Sequence, residues 1–243
     1  MRNYHSNNGR YHHNRYRNNN KRRFGYGNST ISVDKLVSKA IETKEENIFV
    51  DDYNYSQFDV SNILKKNIYN KGYSHPTKIQ YQTIPEILKG RDLLGLASTG
   101  SGKTAAFLIP MIDKVIKSRR NRCLILVPTR ELGMQIQDEF KQLSRDSGLK
   151  SVLVIGGNSI RTQIGILRRD PDFIIATPGR LKDIDNRREI DLGLINNVIL
   201  DEVDRMLDMG FVEDIKYIIN KLSKDRQSLF FSATMNRKTE DIA

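Results

Sequence analysis

From residue 93 onward one pattern of apolar and polar positions keeps returning: a short apolar run that stops at a polar or glycine-bearing turn. Leu93, Leu94 and Leu96 lead into residues 97–104, residues 123–127 into 128–132, 152–155 into 156–157, 173–176 into 177–180, 198–200 into 201–204, and 229–231 into 232–234. Apolar runs this short, separated by helical stretches, predict buried strands that alternate with helices. The expected fold class is therefore α/β, a parallel sheet with helices on both faces. In such sheets ligands gather at the carboxyl ends of the strands, so the polar tips are expected to share one rim.

Upstream the pattern differs. Ile63, Leu64 and Ile68 fall at helical spacing between Ser61, a candidate N-cap, and Gly72, a C-terminal stop, which predicts a helix over residues 60–71. Val33, Leu36, Val37, Ala40 and Ile41 share one face of a second, shorter amphipathic helix. Residues 1–28 contain no Ile, Leu or Val and cannot bury enough surface to offset chain entropy. The expected organisation is a disordered tail over 1–29, an accessory segment over 30–50 and one α/β domain over 51–243.

Charge adds a partner class. The 243 residues carry 40 Lys plus Arg against 29 Asp plus Glu, a formal net charge of +11. Much of the excess lies in the tail, where Arg2, Arg10, Arg15, Arg17, Lys21, Arg22 and Arg23 face no acid before Asp34. Nucleic acid suits that balance. Interleaved with Tyr4, Tyr11, Tyr16, Phe24 and Tyr26, these cations suit loose binding of single-stranded RNA, or serve as a solubilising tail. The single cysteine, Cys123, excludes an intrachain disulfide and a cysteine-rich zinc site, and its apolar setting reads as a buried thiol. No apolar run approaches the roughly 18 residues that span a bilayer, and no signal-peptide core is present, so a soluble intracellular protein without a membrane partner is expected, cytoplasmic with a nuclear location as the alternative.

The tips carry the chemistry. Residues 97–104 read Ala-Ser-Thr-Gly-Ser-Gly-Lys-Thr between a strand and a helix. Gly100 and Gly102 let the backbone at Ser98, Thr99 and Ser101 close around a phosphate, with N–H groups and the positive helix end aimed at the anion. Lys103 supplies a charge for the outer phosphates and Thr104 a hydroxyl for Mg²⁺, although Ala97 stands where the strict P-loop spelling has glycine. Asp201 at another strand end is placed to hold Mg²⁺ opposite Thr104, and Glu202 to orient and deprotonate the water that attacks a γ-phosphate. Thr77 with Gln80 reads as a capping box. The Gln80 amide, one donor group and one acceptor, also matches adenine N6 and N7, with Tyr55, 17 residues before Gly72, as a ring to stack on the base. Arg130 and Arg180, the hydroxyls of Thr129 and Thr177, and backbone N–H groups at Gly156, Gly157 and Gly179 suit phosphates and sugars rather than base edges. Each such tip alone also reads as an ordinary cap or turn.

In this order and spacing the pieces resemble the DEAD-box family of ATP-dependent RNA helicases in superfamily 2, over roughly residues 55–234. Residues 72–80 are similar to the Q motif, with Tyr55 in the place of an upstream aromatic that is usually Phe. Residues 97–104 resemble motif I, whose family spelling also begins with Ala. Pro128, Thr129 and Arg130 fall in motif Ia, Gly156 and Gly157 in the Gly-Gly motif, and Thr177, Pro178, Gly179 and Arg180 in motif Ib, which implies RNA-backbone contacts at each. Residues 201–204 resemble motif II with Val203 for Ala. Ser232, Ala233 and Thr234 resemble motif III, which implies hydrogen bonds to Asp204 that couple nucleotide state to RNA remodelling.

The resemblance implies a RecA-like P-loop domain that uses ATP and Mg²⁺, grips RNA by its phosphate-sugar backbone without strong sequence preference, and unwinds short duplexes or remodels RNA–protein complexes as a monomer. It also implies a second RecA-like domain carrying arginine fingers, worth about 10³–10⁵ in rate. The chain runs to Ala243 in what reads as the helix after motif III, so a first domain short of its last strand is expected, binding ATP and RNA without useful turnover or unwinding. The alternatives are a non-hydrolysing RNA clamp and a P-loop enzyme with no nucleic-acid role.

Overall fold

Six strands form one sheet in which every pairing is parallel: β1 (Leu93–Leu96), β2 (Cys123–Leu126), β3 (Ser151–Val154), β4 (Phe173–Ala176), β5 (Asn197–Leu200) and β6 (Gln227–Ser232). Their spatial order is β1-β6-β5-β2-β4-β3. The computed structural model describes residues 48–234. The expected basic tail, the helix expected from Ile31 and the helix expected after Thr234 lie outside the described residues.

Helices cover both faces, as the alternating pattern predicts. On one side lie α1 (Asn62–Asn70), α2 (Lys78–Leu88), α3 (Lys103–Lys117) and α4 (Arg130–Leu143), whose Leu64, Ile84, Phe107 and Phe140 share a core with Cys123, Ile125 and Val127. On the other lie α5 (Ile160–Leu167), α6 (Pro178–Asn186), α7 (Val203–Asp208) and α8 (Val212–Lys221), whose Leu167, Leu181, Met206 and Ile215 pack with Leu124 and Leu126. Neighbouring residues of β2 thus serve opposite cores, as the strand period of two requires. The division follows the path of the chain. It crosses the sheet in one direction from β1 through β2 to β3, then returns through β4 and β5 to β6, and right-handed crossovers place helices on opposite faces when the direction reverses.

Local signals hold with one exchange. Gly72 ends α1 with φ +80° and donates its N–H to the Tyr69 carbonyl at 2.9 Å. Ser61 stands at the N-cap of α1, yet its hydroxyl is buried without a hydrogen-bond partner. Its backbone N–H is taken instead by Asp113 of α3 at 2.7 Å, a fully buried carboxylate that also pairs with Lys117 at 2.8 Å. A cap from 52 residues away is invisible to local spacing. Ile48 and Val50 bond backbone to backbone with Lys78 and Pro76, at 2.8 and 2.9 Å, so residues 48–50 run with the domain rather than with the accessory segment. Cys123 is a buried free thiol whose pKa burial pushes up.

One close contact sets β1 against its neighbours. A Cβ on Gly95 would stand 2.8 Å from the Phe231 ring of β6, and that ring lies 5.4 Å from Phe107 of α3. The glycine lets Phe231 wedge between β1 and the helix that follows it, a ring pair that contributes about 0.5–1.5 kcal/mol beyond its buried area. The turn joining β1 to α3 is clamped at both ends.

Candidate functional site

Sheet order sorts the polar tips into two groups that chain order mixes. The turns after β1, β6 and β5 lie side by side, and those after β2, β4 and β3 follow them along the same rim. Register carries the first group into contact. Leu96 pairs with Ser232, and the N–H of Ala97 extends that pairing to the Ser232 carbonyl at 3.0 Å.

After β1 the backbone turns through Gly100 (φ +83°) and Gly102 (φ +91°), with Ser98, Thr99 and Gly100 exposed. Ser101 closes the turn through its N–H and its hydroxyl, at 3.3 and 2.7 Å from the Ser98 carbonyl. Lys103, only 7 % exposed, reaches back beneath the loop to donate to the Ala97 carbonyl at 2.7 Å. Thr104 follows it, half-buried.

Asp201 leaves β5 buried, its Oδ1 accepting the Glu202 N–H at 3.0 Å. Burial drives its pKa up to about 6; the nearby Lys103 charge opposes that rise, and Glu202 adds to it. Glu202 occupies the left-handed region at φ +51°, uncommon for a side chain of this size, and pairs with Arg205 at 3.1 Å. Asp204 reaches across to the end of β6. Its Oδ2 accepts the N–H and hydroxyl of Thr234, both at 2.9 Å, and the N–H of Ala233 at 3.2 Å. Burial alone would raise its pKa, but these bonds outweigh that effect and hold it below the usual carboxylate value. Ser232 donates to the Thr234 carbonyl at 2.7 Å and so shapes the same turn.

Gln80 is drawn into this half from α2. Its Oε1 accepts the Thr77 N–H at 2.8 Å and the Tyr55 hydroxyl, while its Nε2 donates to the Gly102 carbonyl at 3.0 Å. Tyr55, expected as a stacking ring, is 5 % exposed and already stacked on Tyr73 with ring centroids 5.7 Å apart. Tyr73 in turn bonds Glu139 of α4 at 2.8 Å. Tyr55 and Tyr73, with Ser74 and His75, line a cavity of about 470 Å³. Sequence reading passed over Tyr73 and His75, although both flank the recognised Gly72 and Pro76.

The second group of tips is built differently. Thr129 caps α4 by accepting the Leu132 N–H at 3.3 Å, which exposes Arg130 just beyond. The Arg130 guanidinium lies over Gly157 and donates to the Gly156 carbonyl at 3.4 Å. Arg180 donates to the Asn158 carbonyl at 3.0 Å, so both arginines lean on one loop, residues 156–158. Pro128, Thr177 and Pro178 are buried and form the turns, while Gly179 is half-buried at the start of α6. The three tips thus meet at this loop.

The donor set fits a magnesium-bound nucleoside phosphate. Apart from its chain neighbours, nothing lies within 4 Å of the place a Gly100 Cβ would occupy, a tethered cation lies beneath the loop, and a buried carboxylate stands near that cation. Among the described residues no cluster of three His, Cys, Asp or Glu side chains is arranged to hold a metal unaided, and no helix is long and apolar enough to cross a membrane.

Comparison with known proteins points the same way. The sequence model of the DEAD/DEAH box helicase family matches residues 77–242. The ATP-dependent RNA helicase CshA of Limosilactobacillus reuteri is 46 % identical over 182 residues, covering 74 % of this chain and 37 % of that protein. The ATP-dependent RNA helicase DBP10 of Candida glabrata is 43 % identical over 193 residues, covering 78 % and 20 % respectively. The crystal structure of a DEAD box protein from Methanococcus jannaschii superposes with a TM-score of 0.75 at 40 % identity, over 78 % of this chain and 52 % of that one. The chain thus spans little more than a third of the first of these curated relatives and a fifth of the second.

Proposed function

Since the chain belongs to the DEAD/DEAH box helicase family, we propose that its α/β domain is the ATP-binding and RNA-gripping half of an ATP-dependent RNA helicase. The backbone of residues 98–102 and Lys103 hold the phosphates, Thr104 and Asp201 hold Mg²⁺, and Gln80 reads the base as adenine. Glu202 orients water and takes its proton. Bound Mg²⁺ supplies the positive charge that offsets the phosphate oxygens during transfer. Asp201, titrating near 6, is a carboxylate at neutral pH and suits that ion.

The observation that carries this reading is the meeting of three separate tips at one edge of the sheet: Lys103 tied across the loop after β1, Asp201 buried beside it, and Asp204 bonded to Thr234 beyond β6. Such a bond lets a change at the nucleotide reach the neighbouring strand end. Arg130 and Arg180 hold successive RNA phosphates, because guanidiniums resting on backbone carbonyls keep free N–H groups for anions. Hydrolysis and unwinding need a second RecA-like domain, and this chain by itself binds without useful turnover.

Calorimetry with Mg²⁺ tests the pocket. The chain is expected to bind ADP and not GDP, and Lys103→Ala to lose ADP binding; ADP affinity that survives Lys103→Ala would overturn the assignment. Fusing a second RecA-like domain to the chain is expected to give RNA-stimulated ATPase, whereas a non-hydrolysing clamp would stay silent.

A further inference from the structure

The Gln80 carbonyl oxygen is fully engaged within the protein, and the amide's three partners are unequal. An amide carbonyl has two lone pairs, and on Oε1 both are filled, one by the Thr77 N–H and one by the Tyr55 hydroxyl. Reading adenine requires that oxygen to accept the base's amino N–H while Nε2 donates to the ring nitrogen. One present donor must therefore yield. The Thr77 N–H belongs to a residue only 6 % exposed at the head of α2, and stranding a buried backbone donor is costly. The Tyr55 hydroxyl sits at the end of a side chain, so a small movement of the ring withdraws it from the amide without opening the backbone of α2.

We propose that the Tyr55 hydroxyl is an internal competitor for Gln80: it fills the carbonyl lone pair that an adenine amino group needs, and so sets adenine-nucleotide affinity below what Gln80 alone would give. Tyr55 is then a positioning residue that acts through Gln80. The inference rests on the reading of Gln80 as the base reader.

The test is a four-variant cycle on the full 243-residue chain, with Mg·ADP and Mg·GDP titrated by calorimetry. Tyr55→Phe keeps the ring and removes the competing donor, and is expected to bind ADP about three- to tenfold tighter, the range of one neutral hydrogen bond, with little change for GDP. In a Gln80→Ala background the same substitution is expected to have no effect, which a packing role for the hydroxyl would not produce. ADP binding by Tyr55→Phe that is unchanged or weaker, while Gln80→Ala still abolishes the preference for ADP, overturns the competitor and leaves the base reader standing. A preference for ADP that survives Gln80→Ala overturns the base reader itself. The unaltered chain offers an independent reading, since the Cζ resonance of Tyr55 reports its phenol hydrogen bond. It is expected to move with ADP and not with GDP, and a resonance that ADP leaves in place overturns the proposal.

Discussion

The two halves of the rim hold charged side chains in opposite ways. Around β1, β6 and β5 the functional groups are buried or half-buried and tied into the loops: Gln80 and Lys103 to Gly102 and Ala97 of the loop after β1, and Asp204 across to Thr234 after β6. Around β2, β4 and β3 two arginines each make a single side-chain contact with a carbonyl of one loop, at 3.4 and 3.0 Å. The first arrangement fixes geometry in a low-dielectric setting, which phosphoryl chemistry needs. The second keeps cations hydrated and adjustable, which suits a flexible polyanion. Position in the sheet separates the two proposed tasks.

If the tight half is held through Gly102, a methyl group there does the most damage. Its Cβ would stand 2.5 Å from Gln80 Nε2 on a backbone at φ +91°. Gly102→Ala is expected to cost about 2–4 kcal/mol in urea denaturation, by strain and by breaking the amide network. Gly157→Ala is the matched control. It has a similar φ of +82°, but the atom its Cβ would meet is the end of the Arg130 side chain, which can swing into solvent. Its cost is expected near 1 kcal/mol, the backbone share alone, and equal costs at the two glycines would erase the contrast between the halves.

A smaller effect follows from the buried carboxylate. Asp201 titrates near 6 in the fold against an ordinary value of 3.8, so the folded chain holds that proton more tightly than the unfolded one. The sign follows: this contribution stabilises the fold fully below pH 4 and is lost as pH rises through 6. At pH 7.5 the buried charge costs at most about 3 kcal/mol. In metal-free buffer Asp201→Asn is therefore expected to raise stability by about 1–3 kcal/mol at pH 7.5, a gain that fades toward pH 4. Melting curves across that range check it, and a gain independent of pH would place the cause elsewhere.

The loose half is expected to show the smallest stability effects. Arg130→Ala and Arg180→Ala should each change unfolding free energy by less than about 0.5 kcal/mol. Each should lower the salt dependence of single-stranded RNA binding by about 0.7 in log–log slope, one phosphate contact apiece. Anisotropy titrations at several salt concentrations read that slope, and loss of folding in either variant would show the guanidinium to be structural.

The strands, the alternation with helices and nearly every tip were legible in the chain, because each depends on neighbours a few residues away. An apolar run of four between turn residues is a buried strand wherever it falls, and Gly-Ser-Gly-Lys-Thr after such a run shapes its own turn. Gly72 ended α1 as its spacing predicts, since a left-handed residue is a local need. Other features depend on residues distant in sequence. The α1 cap passed from Ser61 to Asp113, Tyr55 turned its hydroxyl to Gln80, and Asp204 reached Thr234 at the end of β6.

Sequence by itself determined which residues would stand at strand ends and what chemistry they carry, because strand, turn and helix signals are short-range. Only the tertiary structure decided which ends are neighbours. Strand order is a matter of which apolar faces pack and which way each crossover turns, energies spread over the whole sheet and written at no single position. By setting β6 and β5 beside β1, that order brings Asp204 to Thr234, and by setting β3 beyond β4 it lays Arg130 and Arg180 on one loop.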